Sequence, residues 1–178
     1  TAKQLAQLPR AYDMVGDIII FERFPKQLVG RQRIIAGSLL RLHRHIKVVC
    51  RKTRKYSGKF RLPGLNIIGG EKRKETLHKE SGIMLHLNVE KAYFSPRLSS
   101  ERLRIASLVK PNESILVMFS GIAVYPLVLA KNTGAKEIYG IEINPAAHKY
   151  ALENIKLNKM SNIRIFLGDA RKIIKKLN

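Results

Sequence analysis

Residues 115–145 constrain the fold most, because they combine an apolar strand, a glycine turn, a helix and a second strand that ends in an acid. The apolar run at residues 115–119 is typical of a buried parallel strand, and Gly121 lies at the turn into the helix. Glu142 ends the second strand 21 residues later, close to the roughly 20-residue offset at which a strand-end acid holds ribose hydroxyls. The pattern predicts an α/β fold with a nucleotide-cofactor site.

The single glycine at this turn limits the kind of cofactor. A dinucleotide oxidoreductase would need the spacing G-x-G-x-x-G, which seats a pyrophosphate on backbone N–H groups. Residues 120–123 read Ser-Gly-Ile-Ala instead. We therefore expect a cofactor without a pyrophosphate, of which S-adenosylmethionine is the common one. The alternative is a parallel sheet whose glycine turn and acid bind no ligand.

The charge of the chain indicates a polyanionic partner. Its 178 residues include 34 Lys and Arg but only 13 Asp and Glu, a net charge of +21, and nucleic acid is the first candidate for such a field. A membrane is not expected, since no run approaches the roughly 18 apolar residues of a spanning helix. The lone Cys50 and the scattered histidines predict no disulfide framework and no metal site. We expect a cytoplasmic monomer.

The basic residues concentrate between positions 41 and 70, where nine Lys and Arg occur and no Asp or Glu. A helix within residues 25–45 and several short strands after it are typical of a small mixed sheet. We therefore predict an α+β domain over residues 1–90 that contacts RNA, followed by a cofactor-binding domain over residues 91–178. The candidate RNA contacts are Arg51, Lys52, Arg54, Lys55 and Lys59.

The second domain begins with a predicted helix at residues 99–109. Ser99 or Ser100 is the expected N-cap, and Glu101 lies in the first turn, where an acid complements the helix dipole. A third parallel strand is predicted at residues 163–167, followed by Asp169. A doubly wound sheet normally continues for several more strands, so we expect the catalytic domain in this chain to be incomplete.

Three segments resemble one family: Y-F-S-P-R-L-S-S-E-R at 93–102, M-F-S-G at 118–121 and I-E-I-N-P at 141–145. Together they resemble the archaeal and eukaryotic tRNA (guanine-37-N1)-methyltransferases, over about residues 76–169. The same superfamily includes the wybutosine-pathway aminocarboxypropyl transferases, which use the same cofactor. The resemblance implies a class I methyltransferase domain, with a Rossmann-like parallel sheet, that acts on the guanosine 3′ of the tRNA anticodon.

The resemblance also implies roles for individual residues. Glu101 matches the general base, and Arg61 matches an arginine that helps hold the target guanine. Guanine N1 carries a proton at neutral pH, so a partly desolvated carboxylate could accept that proton while Arg61 stabilises charge on O6. The residues implied at the cofactor are Tyr93, Arg97, Phe119, Gly121, Glu142, Asn144 and Asp169.

The residues themselves leave alternatives open. Glu101 fits a first-turn helix acid, Arg61 a phosphate contact, and Asp169 a strand-end cap. Val117 stands where the family often has an acid, and no Asn-Pro-Pro-like loop follows a fourth strand within the 178 residues. Aminocarboxypropyl transfer and a non-catalytic RNA-binding module therefore remain alternatives to methyl transfer.

Overall fold

The computed structural model describes residues 11–177, with the backbone alone at residues 55–57. The chain divides into two compact units, Thr1–Thr76 and Leu77–Asn178. This division precedes the boundary that we predict near residue 91, because residues 83–88 form a strand held by a helix of the second unit. The predicted domains, 1–90 for RNA contact and 91–178 for the cofactor, stay predictions.

The first unit is a four-stranded mixed sheet with one long helix. Strands β1 and β2 are antiparallel, β2 and β3 are parallel, and β3 and β4 are antiparallel, in the order β1-β2-β3-β4. The elements are β1 (Asp13–Val15), β2 (Ile18–Phe21), a 3-10 helix (Lys26–Arg31), α1 (Gln32–Leu42), β3 (Val48–Ser57) and β4 (Leu62–Gly70). The mixed sheet confirms the α+β prediction for this region.

Strands β3 and β4 are longer than the short strands expected between residues 46 and 68. They pair along most of their length and join through a turn in which the Arg61 N–H donates to the Gly58 carbonyl. Three register shifts between β3 and β4 bend the pair without ending it. Such irregularities allow the Gly and Pro residues of β4 to remain within a strand.

The core of the first unit lies between the sheet and α1. Ile19, Phe21 and Val49 from the sheet pack with Ala36 from the helix. Gly69 permits this close contact, since a Cβ atom there would lie 2.5 Å from the Ala36 Cβ atom.

The second unit contains the predicted parallel sheet, in the order β7-β8-β9. A two-stranded sheet of β5 and β6 precedes it along the chain. Apart from the first two residues of β5, the following elements lie in this unit: β5 (Glu75–Glu80), β6 (Ile83–Asn88), a 3-10 helix (Pro96–Leu98), α2 (Ser99–Ala106), β7 (Ser114–Val117), α3 (Val124–Asn132), β8 (Glu137–Glu142), α4 (Pro145–Leu157), β9 (Ile163–Leu167), α5 (Ala170–Ile173) and a 3-10 helix (Ile174–Lys176).

The expected serine cap of α2 is wrong. Leu98 occupies the N-cap position, and no side chain caps the helix there, because the 3-10 turn runs directly into α2. Glu101 does lie in the first turn, as predicted.

Asn154 of α4 and Asn158, the C-cap residue of that helix, bind the backbone of β6. The Asn154 amide accepts from the His86 N–H at 2.7 Å and donates to the His86 carbonyl at 3.0 Å. Asn158 does the same for Met84, at 2.8 and 2.6 Å. Residues four apart on a helix thus match residues two apart on a strand, a spacing of about 6 Å in both. We call this pair of contacts the asparagine ladder.

None of the helices within residues 11–177 has the length and apolar character needed to cross a membrane.

Gly140 in the central strand β8 allows the closest packing of the parallel sheet. A Cβ atom at this position would lie 2.4 Å from Ile165 Cδ1 and 2.9 Å from Ser120 Cβ. We expect Gly140→Ala to destabilise the second unit by about 1–3 kcal/mol through overpacking, measured by denaturant unfolding. Gly134→Ala is the matched control, because its Cβ would make only ordinary contacts at 3.5 Å. Equal stability of the two variants would contradict this packing.

Candidate functional site

The carboxyl ends of β7, β8 and β9 meet at one edge of the parallel sheet. Backbone hydrogen bonds join the loops at this edge: the Ser120 N–H donates to the Ile141 carbonyl, and the Gly168 N–H donates to the Glu142 carbonyl, each at 2.9 Å. Ligands of open α/β sheets bind at this kind of edge. The predicted residues Phe119, Gly121, Glu142, Asn144 and Asp169 all follow or end one of these strands.

Glu142 is the central side chain of this edge. One carboxylate oxygen accepts from the Gly121 N–H at 2.8 Å, and the other accepts from the Asn144 N–H at 2.7 Å. The first bond supports the loop after β7, where Val117 supplies no polar group. An ionised carboxylate has about four acceptor positions, so two hydrogen bonds leave capacity for ligand hydroxyls.

The loop after β7 has an open face and a strained backbone. Gly121 has a φ of 55° and Ala123 a φ of 66°, both in the left-handed region. Among residues 11–177, a Cβ atom on Gly121 would meet only the Tyr93 carbonyl, at 3.8 Å. Phe119 is 79% exposed. An exposed aromatic beside an open glycine turn suits the planar base of a nucleoside.

Asn144 and Asp169 both cap helices. The sequence suggested a cap only for Asp169. The buried Asn144 caps α4 by accepting from the Ala146 N–H, and its amide donates to the Lys91 carbonyl at 2.8 Å. Asp169 caps α5 by accepting from the Arg171 N–H and also pairs with the Arg171 side chain. The hydrogen bond from the Arg171 side chain is the main cause that lowers the pKa of Asp169. Their contact with a cofactor stays a prediction.

A buried arginine lies behind the segment that carries Tyr93 and Arg97, both of which are exposed. Arg102 is 1% exposed and forms a bidentate ion pair with Glu80, with Nη2 at 2.6 Å from Oε2. Its guanidinium also donates to the Ser95 carbonyl at 3.0 Å. We call Arg102, Glu80 and the Ser95 carbonyl the arginine anchor. Sequence reasoning missed it, although Arg102 belongs to the matched motif.

Two rings flank the guanidinium of the arginine anchor. The Phe94 and Tyr125 ring centres lie 5.4 and 5.8 Å from Arg102 Cζ. Burial acts to raise the pKa of Glu80, but hydrogen bonds from His78 and Arg102 outweigh it, so the pKa lies below the ordinary value. The pair therefore stays ionised, and it fixes residues 94–95 against the start of α2.

Glu101, the candidate base, pairs with Arg104, whereas the adjacent Arg102 is buried with Glu80. Both of its oxygens accept from Arg104, each at 2.7 Å, and its side chain is 42% exposed. This hydrogen bonding lowers the pKa of Glu101. The expected partly desolvated carboxylate is thus not seen, because the side chain points to solvent and to a cation.

The predicted RNA contacts of the first unit differ in their surroundings. Arg51 donates to the Gln32 side chain at 3.0 Å, and Lys52 forms an ion pair with Glu22 and is largely buried. Arg54 and Lys59 are exposed, whereas the side chain of Lys55 lies outside the described residues.

Arg61 lies in the turn between β3 and β4. It is exposed and has a φ of 50°. Its contact with a guanine stays a prediction.

An open basic groove of about 700 Å³ lies between α1 and β4. Arg33 from the helix and Lys72 and Lys74 from the segment after β4 supply its cations. Lys74 is bound to the Leu65 carbonyl at 2.9 Å, while Arg33 and Lys72 are exposed and form no ion pair within residues 11–177. Sequence reasoning missed this groove because its cations come from separate segments.

The part of the chain that the structure describes contains no group of three or more His, Cys, Asp or Glu side chains that could hold a metal ion.

Known families match both units. Residues 76–178 match the model of the TRM5/TYW2 methyltransferase domain, and residues 1–73 match the TYW2 N-terminal domain. A tRNA (guanine(37)-N(1))-methyltransferase, Trm5b from Pyrococcus abyssi, is 41% identical over 166 residues, which cover 93% of this chain and 49% of the relative. Taw22 from Nanoarchaeum equitans, a tRNA (guanine(37)-N(1))/4-demethylwyosine(37)-methyltransferase, is 42% identical over 89% of this chain and 52% of its own length.

Solved structures of the same group are similar as well. The complex of aTrm5 with tRNALeu has a TM-score of 0.83 and 35% identity, covering 97% of this chain and 51% of that one. TYW2 from M. jannaschii, in complex with AdoMet, has a TM-score of 0.64 and 30% identity, covering 90% and 57%. The chain thus spans about half the length of the relatives that it matches.

The arginine anchor predicts a specific loss of stability. We expect Arg102→Met to destabilise the second unit by about 3–5 kcal/mol, because it leaves the Glu80 carboxylate buried without its partner. Glu80→Gln combined with Arg102→Met removes both charges and recovers much of the loss. Arg104→Met is the matched control and should leave the stability nearly unchanged, because its ion pair with Glu101 is exposed to solvent. Denaturant unfolding measures all three.

The same pair predicts how stability depends on pH. The pKa of Glu80 is lower in the folded chain than its ordinary value of 4.5. The ionised Glu80 therefore contributes its full amount to the free energy of unfolding above about pH 4.5, and this contribution is lost as the pH falls through the pKa of the folded chain. The double variant should lose less stability than the wild type over that range, and identical acid profiles would contradict the assignment.

Proposed function

Because the chain belongs to the TRM5/TYW2 methyltransferase family, we propose that it carries the cofactor-binding half of an enzyme that methylates N1 of guanosine 37 in tRNA. The observation that supports this most is the carboxyl edge of the parallel sheet, where Glu142 joins the loop after β7 to the start of α4. This edge lies within the segment that matches the methyltransferase domain. The expected monomeric state and cytoplasmic location stay predictions.

The residues at this edge fit S-adenosylmethionine. The free acceptor positions of Glu142 suit the two ribose hydroxyls, and the open face of Gly121 admits a ligand close to the backbone. Phe119 offers an exposed ring to the adenine, and Tyr93 and Arg97 are exposed on the segment that the arginine anchor holds. When bound, S-adenosylmethionine supplies an electrophilic methyl group.

The protein's own task in the reaction is to position the guanine and to accept a proton. Guanine N1 is a poor nucleophile while it carries its proton, so a base within hydrogen-bond reach accelerates the reaction. We assign this role to Glu101, an exposed carboxylate on the first turn of α2. Arg61 is the proposed donor to guanine O6, where negative charge develops as the proton leaves.

The decisive experiment identifies the transferred group. The full-length protein is incubated with labelled S-adenosylmethionine and an unmodified tRNA transcript, and the nucleosides are separated. We expect N1-methylguanosine, and we expect Glu101→Gln to lower the rate by about 10²–10⁴-fold, the usual contribution of a general base. Glu153→Gln is the matched control, since Glu153 pairs with His86 away from this edge. An unchanged rate in Glu101→Gln would exclude Glu101 as the base.

Aminocarboxypropyl transfer is the second candidate, favoured by the match of residues 1–73 to the TYW2 N-terminal domain. The same assay distinguishes aminocarboxypropyl transfer from methyl transfer. With the label in the methyl group of S-adenosylmethionine, the aminocarboxypropyl product would carry no label. The dual name of the Nanoarchaeum equitans relative adds 4-demethylwyosine as a further test substrate. Binding of tRNA without transfer of any group would favour the non-catalytic module.

We assign tRNA contact in the first unit to the basic groove together with Arg54 and Lys59. The cations of Arg33 and Lys72 are exposed on two sides of the groove and available to phosphates, whereas those of Arg51 and Lys52 already have partners within the chain. Phosphate contacts position an RNA without reading its sequence. The groove therefore suits the RNA backbone.

The groove predicts a particular dependence of tRNA binding on salt. The affinity for tRNA falls as salt rises, and each lost phosphate contact makes the slope of log K against log salt less negative by about 1. Arg33→Ala combined with Lys72→Ala should therefore reduce the magnitude of the slope by about 2. Filter binding at several salt concentrations measures the slope. Lys136→Ala, which also removes an exposed cation, is the control and should leave the slope unchanged. Equal slopes for all proteins would remove the groove from the interface.

A further inference from the structure

The carboxylate of Glu101 and the guanidinium of Arg104 form a closed pair on one face of α2. Two parallel hydrogen bonds of 2.7 Å join them, which is the bidentate geometry of guanidinium with carboxylate. Both side chains are exposed, at 42% for Glu101 and 58% for Arg104. The pair is therefore accessible to a ligand that competes for either partner.

This pair opposes the role that we assign to Glu101. A cation that binds the ionised carboxylate stabilises the charged form, and the pKa of Glu101 is lowered by this hydrogen bonding. A proton acceptor with a lowered pKa is a weaker base. Both oxygens also face Arg104, so an incoming N1–H group has to share an acceptor.

The other ionisable groups near the pair do not replace Arg104. Arg102, which directly follows Glu101, is buried and bound to Glu80. Tyr125 of α3 interacts electrostatically with Arg104 and is not a cation. Among the described residues, Arg104 is therefore the group that determines the basicity of Glu101.

We propose that Arg104 is a positioning residue that holds Glu101 in the free protein and moves to a phosphate of the bound RNA, which frees Glu101 to accept the N1 proton. This inference rests on the proposed function. A guanidinium binds phosphate with the same fork geometry as carboxylate, and an exposed pair three residues apart on a helix is weak enough to exchange. The proton from N1 passes to an oxygen of Glu101, while Arg104 gains and loses none. Substrate binding thereby activates the base.

The test measures the ionisation of Glu101 directly, apart from turnover. The carboxyl carbon of Glu101 is followed by ¹³C NMR during pH titration of the full-length protein, alone and with an unmodified tRNA transcript, without methyl donor. In the wild type we expect a lowered pKa that rises when tRNA binds. In Arg104→Gln we expect the higher pKa without RNA and no further rise with it. Lys136→Gln, which removes an exposed cation, should behave as the wild type.

The outcomes separate this inference from the proposed function. Binding of tRNA, monitored in the same samples, without a rise in the pKa of wild-type Glu101 would overturn the inference and leave methyl transfer intact. An unchanged pKa in Arg104→Gln would also overturn it. Absence of tRNA binding would contradict the proposed function, and this inference with it. In the transfer assay, the acidic limb of the pH profile of kcat/KM, which reports the free protein, should move to higher pH in Arg104→Gln, which lost packing alone would not produce.

Discussion

The buried ion pair between Arg102 and Glu80 is the interaction on which the candidate site depends. Arg102 is 1% exposed, so its guanidinium has to be neutralised and hydrogen-bonded, and Glu80 and the Ser95 carbonyl accept three of its five N–H groups. The pair thereby joins β5, the segment after β6 and the start of α2. Because Arg102 is fixed by this ion pair, the backbone of the adjacent Glu101 is held in place although its side chain faces solvent.

At the edge of the parallel sheet, one side chain likewise holds several segments in place. Glu142 supports the loop after β7 through the Gly121 N–H and its own turn through the Asn144 N–H, and it retains acceptor positions. A change at Glu142 would therefore affect both the shape of the loop and the chemistry of the pocket. Ser120 is itself part of this loop, and its buried Oγ has no hydrogen-bond partner within residues 11–177.

The sequence predicted the features that depend on local patterns. The strands β7, β8 and β9 follow from apolar runs, and the site edge follows from the glycine turn and Glu142. The arginine anchor was missed because its two charges lie 22 residues apart, and composition suggested only surface cations. The serine cap of α2 failed because a 3-10 turn feeds that helix. The lowered pKa of Glu101 depends on an Arg104 rotamer, which no spacing rule reveals.

The asparagine ladder has a consequence for association between chains. A strand edge with unpaired N–H and C=O groups is a template for another strand, and natural proteins cover such edges. Asn154 is fully buried, and with Asn158 it occupies the N–H and C=O groups of His86 and Met84 on β6. The two side chains act as a substitute strand that cannot be extended by a further chain. They thereby cover this edge of β6 against pairing with a strand of another chain, without adding a residue to the sheet.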